Sequence, residues 1–247
     1  MKKQLSVFAL HAWAAIGRLA LVLLGMLALD AAAYVLFGLR GFRASLTGSE
    51  LVTALRVIFS LGLVACQLLL AACFGTGSRY GYTIRRLQIS ESQVLLWSSV
   101  CNALCFACVW CVQVMGAIGA AALHAADARY AEGAQGIFVD FYRSEFLHGL
   151  LPLADGYLWM RNVVFVLALG VLTAYMQLGL RRKNGGRRLA LVVLTGLMLL
   201  VLPVGFGSGR TAGILQSVAA LFAAGICGYL GFLQAHNGKE GVEDELD

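Results

Sequence analysis

LVTALRVIFSLGLVACQLLLAACF (51–74), GTGSRYGYTIRRLQISESQ (75–93) and VLLWSSVCNALCFACVWCVQVMGA (94–117) follow one another in this chain, and their contrast decides the fold. A helix needs about 20 apolar residues to cross a hydrocarbon core of about 30 Å, and the first and third runs each supply that length. They read as membrane-spanning helices, with the polar segment between them at one membrane face. That segment carries Arg79, Arg85 and Arg86, interleaved with Tyr80 and Tyr82. These residue types suit contact with something in the cytoplasm.

The whole chain agrees. Its 247 residues are 60% hydrophobic and 13% charged, and its mean hydropathy is +0.80. This is too apolar for a soluble domain. The net charge of +6 then reflects topology rather than a nucleic-acid partner, because basic residues concentrate in cytoplasmic loops. The seven cysteines lie in apolar runs, which excludes a disulfide framework. Met1-Lys2-Lys3 opens an apolar region that exceeds signal-peptide length and lacks a clear cleavage site, so it is expected to be retained.

Working outward, six spans are expected, at about 19–39, 51–74, 94–117, 158–180, 189–206 and 214–233. The fold class is all-α, a polytopic membrane protein forming a single transmembrane domain over 1–247. Before the first span, Leu5, Phe8, Ala9, Ala12, Trp13 and Ile16 make an apolar stripe at helical spacing, which predicts an interfacial helix over about 3–18. Asp30 and Arg56 are charges inside the first two spans, roughly 12 Å and 8 Å from the shared outer ends by helical rise. An unpaired charge there costs several kcal/mol, so the two are expected to pair or to face a wet cavity, either as a substrate-path or gating pair or as a structural pair pinning two helices.

Cys101, Cys105, Cys108 and Cys111 share one face of the third span. One straight helix fans its ligands apart, so packing rather than metal binding is expected. The outer loop 120–157 holds His124, Asp127, Asp140, Glu145 and His148 without a repeated ligand spacing. Phe138, Phe141, Tyr142, Glu145, Phe146 and Gly149 predict an aromatic-rich surface helix over Gly136–Leu150, shielding the outer mouth. The tail, 236–247, is acidic, without apolar periodicity, and is expected to be disordered.

Orientation follows from the charges. With both termini in the cytoplasm, twelve of the nineteen Lys and Arg fall inside, including the turn Arg181-Arg182-Lys183-Asn184-Gly185-Gly186-Arg187-Arg188. A multi-pass protein of a bacterial cell (plasma) membrane is expected.

With this layout, the segment Arg79-Tyr80-Gly81-Tyr82-Thr83-Ile84-Arg85-Arg86-Leu87 resembles the first cytoplasmic loop of the permease subunits of ABC-2-type ABC transporters. The resemblance covers nearly the whole chain in layout and is sharp over Ser78–Ser92. Thr83, Arg85, Arg86, Leu87 and Ser90 match the family's Thr/Leu-x-Arg-Arg-Leu-Pro-x-Ser pattern, with Gln88 standing where proline is usual. The resemblance implies that 75–93 is a short cytoplasmic coupling helix between spans two and three. Arg79, Tyr80, Tyr82, Thr83, Arg85, Arg86, Leu87, Ser90 and Glu91 would then dock on a separate ATPase subunit. Tyr and Arg suit such an interface, although the arginines equally satisfy the positive-inside rule.

The resemblance further implies two copies of a cytoplasmic ABC ATPase, a second permease (identical or homologous), and ATP with Mg bound on the partner. This chain carries no cofactor and no metal site in that reading, and is not an enzyme by itself. It has no G-x-x-x-x-G-K-[ST] phosphate loop; Gly205–Thr211 comes nearest and has the wrong spacing. Two other functions fit the layout. One is a non-catalytic regulatory or immunity subunit of the membrane. The other is an intramembrane hydrolase using Ser208, for which the sixth span offers no internal histidine base.

Overall fold

The computed structural model describes residues 2–38, 50–73, 90–126, 137–181 and 210–243. Its long helices are α1 (Lys2–Ala33, running on into a π-helical turn, Tyr34–Gly38), α2 (Glu50–Cys73), α3 (Glu91–Ala126), α6 (Gly156–Arg181) and α7 (Arg210–Glu243). Two short helices, α4 (Ile137–Arg143) and α5 (Glu145–Leu150), lie between α3 and α6. No strand occurs among the described residues.

Among the described residues, five helices are long and apolar enough to cross a membrane, over Phe8–Phe37, Glu50–Ala71, Glu91–Leu123, Gly156–Gly179 and Gly213–Leu233. They overlap the expected first, second, third, fourth and sixth spans. The expected fifth span, 189–206, lies outside the described residues. So does the segment 75–93, except for Ser90–Gln93.

Three expectations change. The interfacial helix over 3–18 is not separate: Lys2–Ala33 is one helix of 32 residues. No proline interrupts it, and a lone glycine such as Gly17 costs only about 1 kcal/mol in a helix. At 1.5 Å per residue it measures about 48 Å, so it outreaches a hydrocarbon core of about 30 Å.

The tail from His236 to Glu243 continues α7, where disorder was expected; residues 244–247 lie outside the description. Extending an existing helix avoids the nucleation that an isolated polar segment requires.

The expected helix Gly136–Leu150 is two helices, broken at Ser144. The backbone there is extended, with φ −83° and ψ 116°, and Ser144 caps α5 by accepting from Leu147 N at 3.4 Å. Serine is a preferred residue at that position because its hydroxyl satisfies an otherwise orphaned backbone N–H. The break divides the aromatic face. Phe141 and Phe146 are buried in the bundle, whereas Phe138 and Tyr142 are exposed.

Packing gives the bundle its order. α1 and α3 run parallel, with the Phe8 and Trp97 rings 5.9 Å apart near one end and Asp30 meeting Gln113 towards the other. α2 runs antiparallel to α1, and Gly62 takes the Met26 side chain against its backbone. α6 crosses α3 closely at Gly170, where an added Cβ would lie 2.6 Å from Ser99 O. α7 packs parallel to α6: Gly213 faces Tyr157 at one end and Gly231 faces Tyr175 at the other. Asp155 starts α6 by accepting from Tyr157 N at 3.0 Å.

Candidate functional site

In a lipid-embedded bundle, polar side chains have no water to turn to, so buried ones mark structural or functional positions. Here they form levels along the axis. Near the start of α1, His11 Nδ1 and Ser98 Oγ lie 3.5 Å apart.

A larger cluster joins α2, α3 and α6. Asn102 and Gln177 exchange reciprocal bonds: Asn102 Nδ2 donates to Gln177 Oε1 at 3.4 Å, and Gln177 Nε2 donates to Asn102 Oδ1 at 3.4 Å. Gln177 Nε2 also reaches Leu70 O at 3.2 Å. Thr173 Oγ1 lies 2.7 Å from both Gln67 Oε1 and Leu169 O, so its single proton is shared between two acceptors. Gln67 Nε2 points at the Met176 sulfur, 3.6 Å away.

Thr173→Val keeps the shape, removes the hydroxyl and leaves Gln67 Oε1 without its donor. It should lower stability by about 1 kcal/mol, the scale of hydrogen bonds between membrane helices. A modest fall in Tm of the detergent-solubilised protein checks this; an unchanged Tm means the cluster does not hold α2 to α6.

Further along, Gln113 Nε2 of α3 donates to Asp30 Oδ1 of α1 at 3.3 Å. Both residues are buried, and Gly116 brings the α3 backbone against Asp30 Oδ2. The end of the bundle is closed by α5. Trp110 Nε1 donates to Leu150 O at 3.1 Å, and Asn162 Nδ2 donates to Gly149 O at 2.9 Å. Phe146 packs beside Phe59, which in turn meets Trp110 edge-on at 5.5 Å.

The sequence-predicted residues distribute as follows. Asp30 and Arg56 make their contacts with different residues: Asp30 with Gln113, and Arg56 with the Phe146 ring, whose centroid is 5.4 Å from the guanidinium carbon. Arg79, Tyr80, Tyr82, Thr83, Arg85, Arg86 and Leu87 lie outside the described residues. Ser90 opens α3, its carbonyl accepting from Gln93 N at 3.0 Å and Val94 N at 3.1 Å. Glu91 is exposed in the first turn of α3, where a negative charge favours the helix dipole.

Cys101 and Cys105 are buried while Cys108 and Cys111 are exposed, so the four thiols do not converge. Among the described residues, no group of three or more His, Cys, Asp or Glu is placed to hold a metal ion.

Gln67, Asn102, Gln113, Thr173 and Gln177 escaped the sequence reading because it followed formal charges. Their signal was present: each is a polar residue inside an apolar run. Comparisons with protein-family models, with curated proteins and with solved structures gave no match.

Proposed function

We propose that this chain is the membrane-spanning permease subunit of an ATP-driven ABC-2-type exporter, with six spans and both termini cytoplasmic. Its partners are two copies of a cytoplasmic ABC ATPase, which bind ATP and Mg, and a second permease. The observation that carries the layout is the parallel packing of α6 and α7. Two spans that point the same way require the chain to cross the membrane once between them, and 189–206 is the apolar run available for that crossing. Six crossings return both ends of the chain to one side, the side of the basic segments 75–93 and 181–188. The residues that match the family loop, Thr83, Arg85, Arg86, Leu87 and Ser90, support the docking role. In this reading, closure of the ATPase pair moves the segment 75–93, and the spans rock around the packed polar levels.

The test is purification from the native membrane in mild detergent. The wild-type protein should bring with it an ATP-hydrolysing chain in equal stoichiometry. Arg85→Glu combined with Arg86→Glu should reduce that recovery about tenfold or more, because charge reversal at an interface hot spot costs 2 kcal/mol or more. Its membrane insertion should be unchanged. Equal recovery by the double variant overturns the docking role, and a wild-type protein that carries no ATPase overturns the exporter reading.

A further inference from the structure

Asp30 and Gln113 present an incomplete version of a pairing that the same bundle completes elsewhere. Asn102 and Gln177 face each other with two donors and two acceptors, and their two reciprocal bonds close a ring. Asp30 and Gln113 make one bond of such a ring, Gln113 Nε2 to Asp30 Oδ1. The two atoms that would form the other, Asp30 Oδ2 and Gln113 Oε1, are both buried and have no hydrogen-bond partner among the described residues. Asp30 is 4% exposed and Gln113 is 0% exposed, so solvent does not serve either atom. Both orphaned atoms are acceptors, so neither can serve the other while Asp30 is ionised. One hydrogen on Oδ2 turns an acceptor into a donor and satisfies both orphaned atoms at once.

We propose that Asp30 and Gln113 form a proton-binding site within the membrane, where Asp30 is held as the neutral acid and its O–H closes a carboxyl–amide ring with Gln113 Oε1. The groups around it favour this ligand over a neighbouring cation. On α2, the guanidinium of Arg56 is over the Phe146 ring, and Glu50 is exposed at the start of the helix. On α3, Glu91 is exposed at the opposite end, and His124 lies near the C-terminus with its side chain outside the description. Cys111 on α3 is exposed, and Tyr34 is the next titratable group along α1. On its Gly116 side Oδ2 has no room for a larger ligand, since a single added Cβ already collides with it. A proton needs no such room.

The site couples protonation to packing. With the proton bound, α1 and α3 are joined by two bonds; without it, a charge faces the negative end of the Gln113 carbonyl dipole in hydrocarbon, and the ring opens. This inference needs only that the bundle sits in a membrane, and it stands apart from the ATPase partnership.

Infrared difference spectra of the purified protein in lipid vesicles test it. Wild type minus Asp30→Asn, at neutral pH, should show the carbonyl stretch of one protonated carboxyl group, and Gln113→Leu should shift that band upward by removing its hydrogen bonds. Asp30→Asn replaces the acid by an amide that can complete the ring as Asn102 does, so its Tm should match that of wild type, while Gln113→Leu lowers the Tm. A difference spectrum with only carboxylate bands overturns the proposal. So does an Asp30→Asn protein that loses as much Tm as Gln113→Leu, or that fails to fold, because a neutral residue would then not be what the site requires.

Discussion

Gly170→Leu is expected to destabilise the bundle by about 3 kcal/mol or more. At Gly170, α6 lies so close to α3 that even a Cβ would come within 2.6 Å of Ser99 O, 2.8 Å of Ala103 Cβ and 2.9 Å of Ala103 N. Two of these three atoms are backbone and cannot rotate away. Overpacking of a well-packed core typically costs about 1–3 kcal/mol, and it costs more where the obstacle is main chain. Small residues at such crossings are what let membrane helices approach, since packing rather than water exclusion drives their association. Gly170→Ala should therefore fall between wild type and leucine. Gly225 is the control: nothing lies within 4 Å of its added Cβ, so Gly225→Ala should not destabilise the bundle and should gain the alanine's better helix propensity, at most about 1 kcal/mol. Thermal unfolding in detergent, followed with a thiol-reactive dye, gives the order directly, because Cys66, Cys101, Cys105 and Cys227 are buried until the bundle opens. Equal Tm values for Gly170→Leu and wild type would show that α3 and α6 do not cross at this point.

Phe146→Ala is expected to cost about 3–5 kcal/mol, the range for emptying a buried aromatic site. Phe146 is 0% exposed, its ring is 6.4 Å from that of Phe59, and the Arg56 guanidinium lies over it. Alanine removes the packing and also withdraws the ring from a cation in a half-buried setting, a contact worth about 1–2 kcal/mol where water is scarce. The damage should be local at first. α5 would lose its anchor, and the bonds from Trp110 Nε1 to Leu150 O and from Asn162 Nδ2 to Gly149 O would weaken with it. Limited proteolysis should then cut between α3 and α6 much faster than in wild type, and the Tm should fall. Phe138→Ala, at a side chain 72% exposed, should do neither. If both variants behave alike, α5 is not held by Phe146.

The contrast between Phe138 and Phe146 shows how far periodicity reaches. Both sit on one face of an idealised helix over Gly136–Leu150, and the sequence reading treated them as equivalents. Ser144 separates them by ending one helix and capping the next, and this local choice is supported by where Phe146 then lands, between Phe59 and Arg56. The observed contacts of Asp30 and Arg56 were not legible in the sequence for a related reason. Depth along two helices was estimated from residue counts, but rotation about each axis was not, and rotation is what turns Asp30 towards α3 and Arg56 towards α5. The docking role proposed for Arg79, Tyr80, Tyr82, Thr83, Arg85, Arg86 and Leu87 comes from the resemblance, and these residues lie outside the described ones.

The sequence by itself pointed to an all-helical membrane protein with six spans, and five of these coincide with helices long and apolar enough to cross a membrane among the described residues, because hydropathy is a sum over consecutive residues and needs no partner to be evaluated. It also located Asp30 and Arg56 as charges within those runs. The tertiary structure decided that Lys2–Ala33 is a single helix, that α6 and α7 run parallel, and that the buried polar residues meet as Asn102 with Gln177 and Asp30 with Gln113. Those outcomes depend on which faces of distant helices are brought together, and a one-dimensional pattern contains a face only relative to its own axis. The basic character of the segment 75–93 is a property of the sequence, while the proton site proposed for Asp30 and Gln113 comes from the packing of α1 on α3.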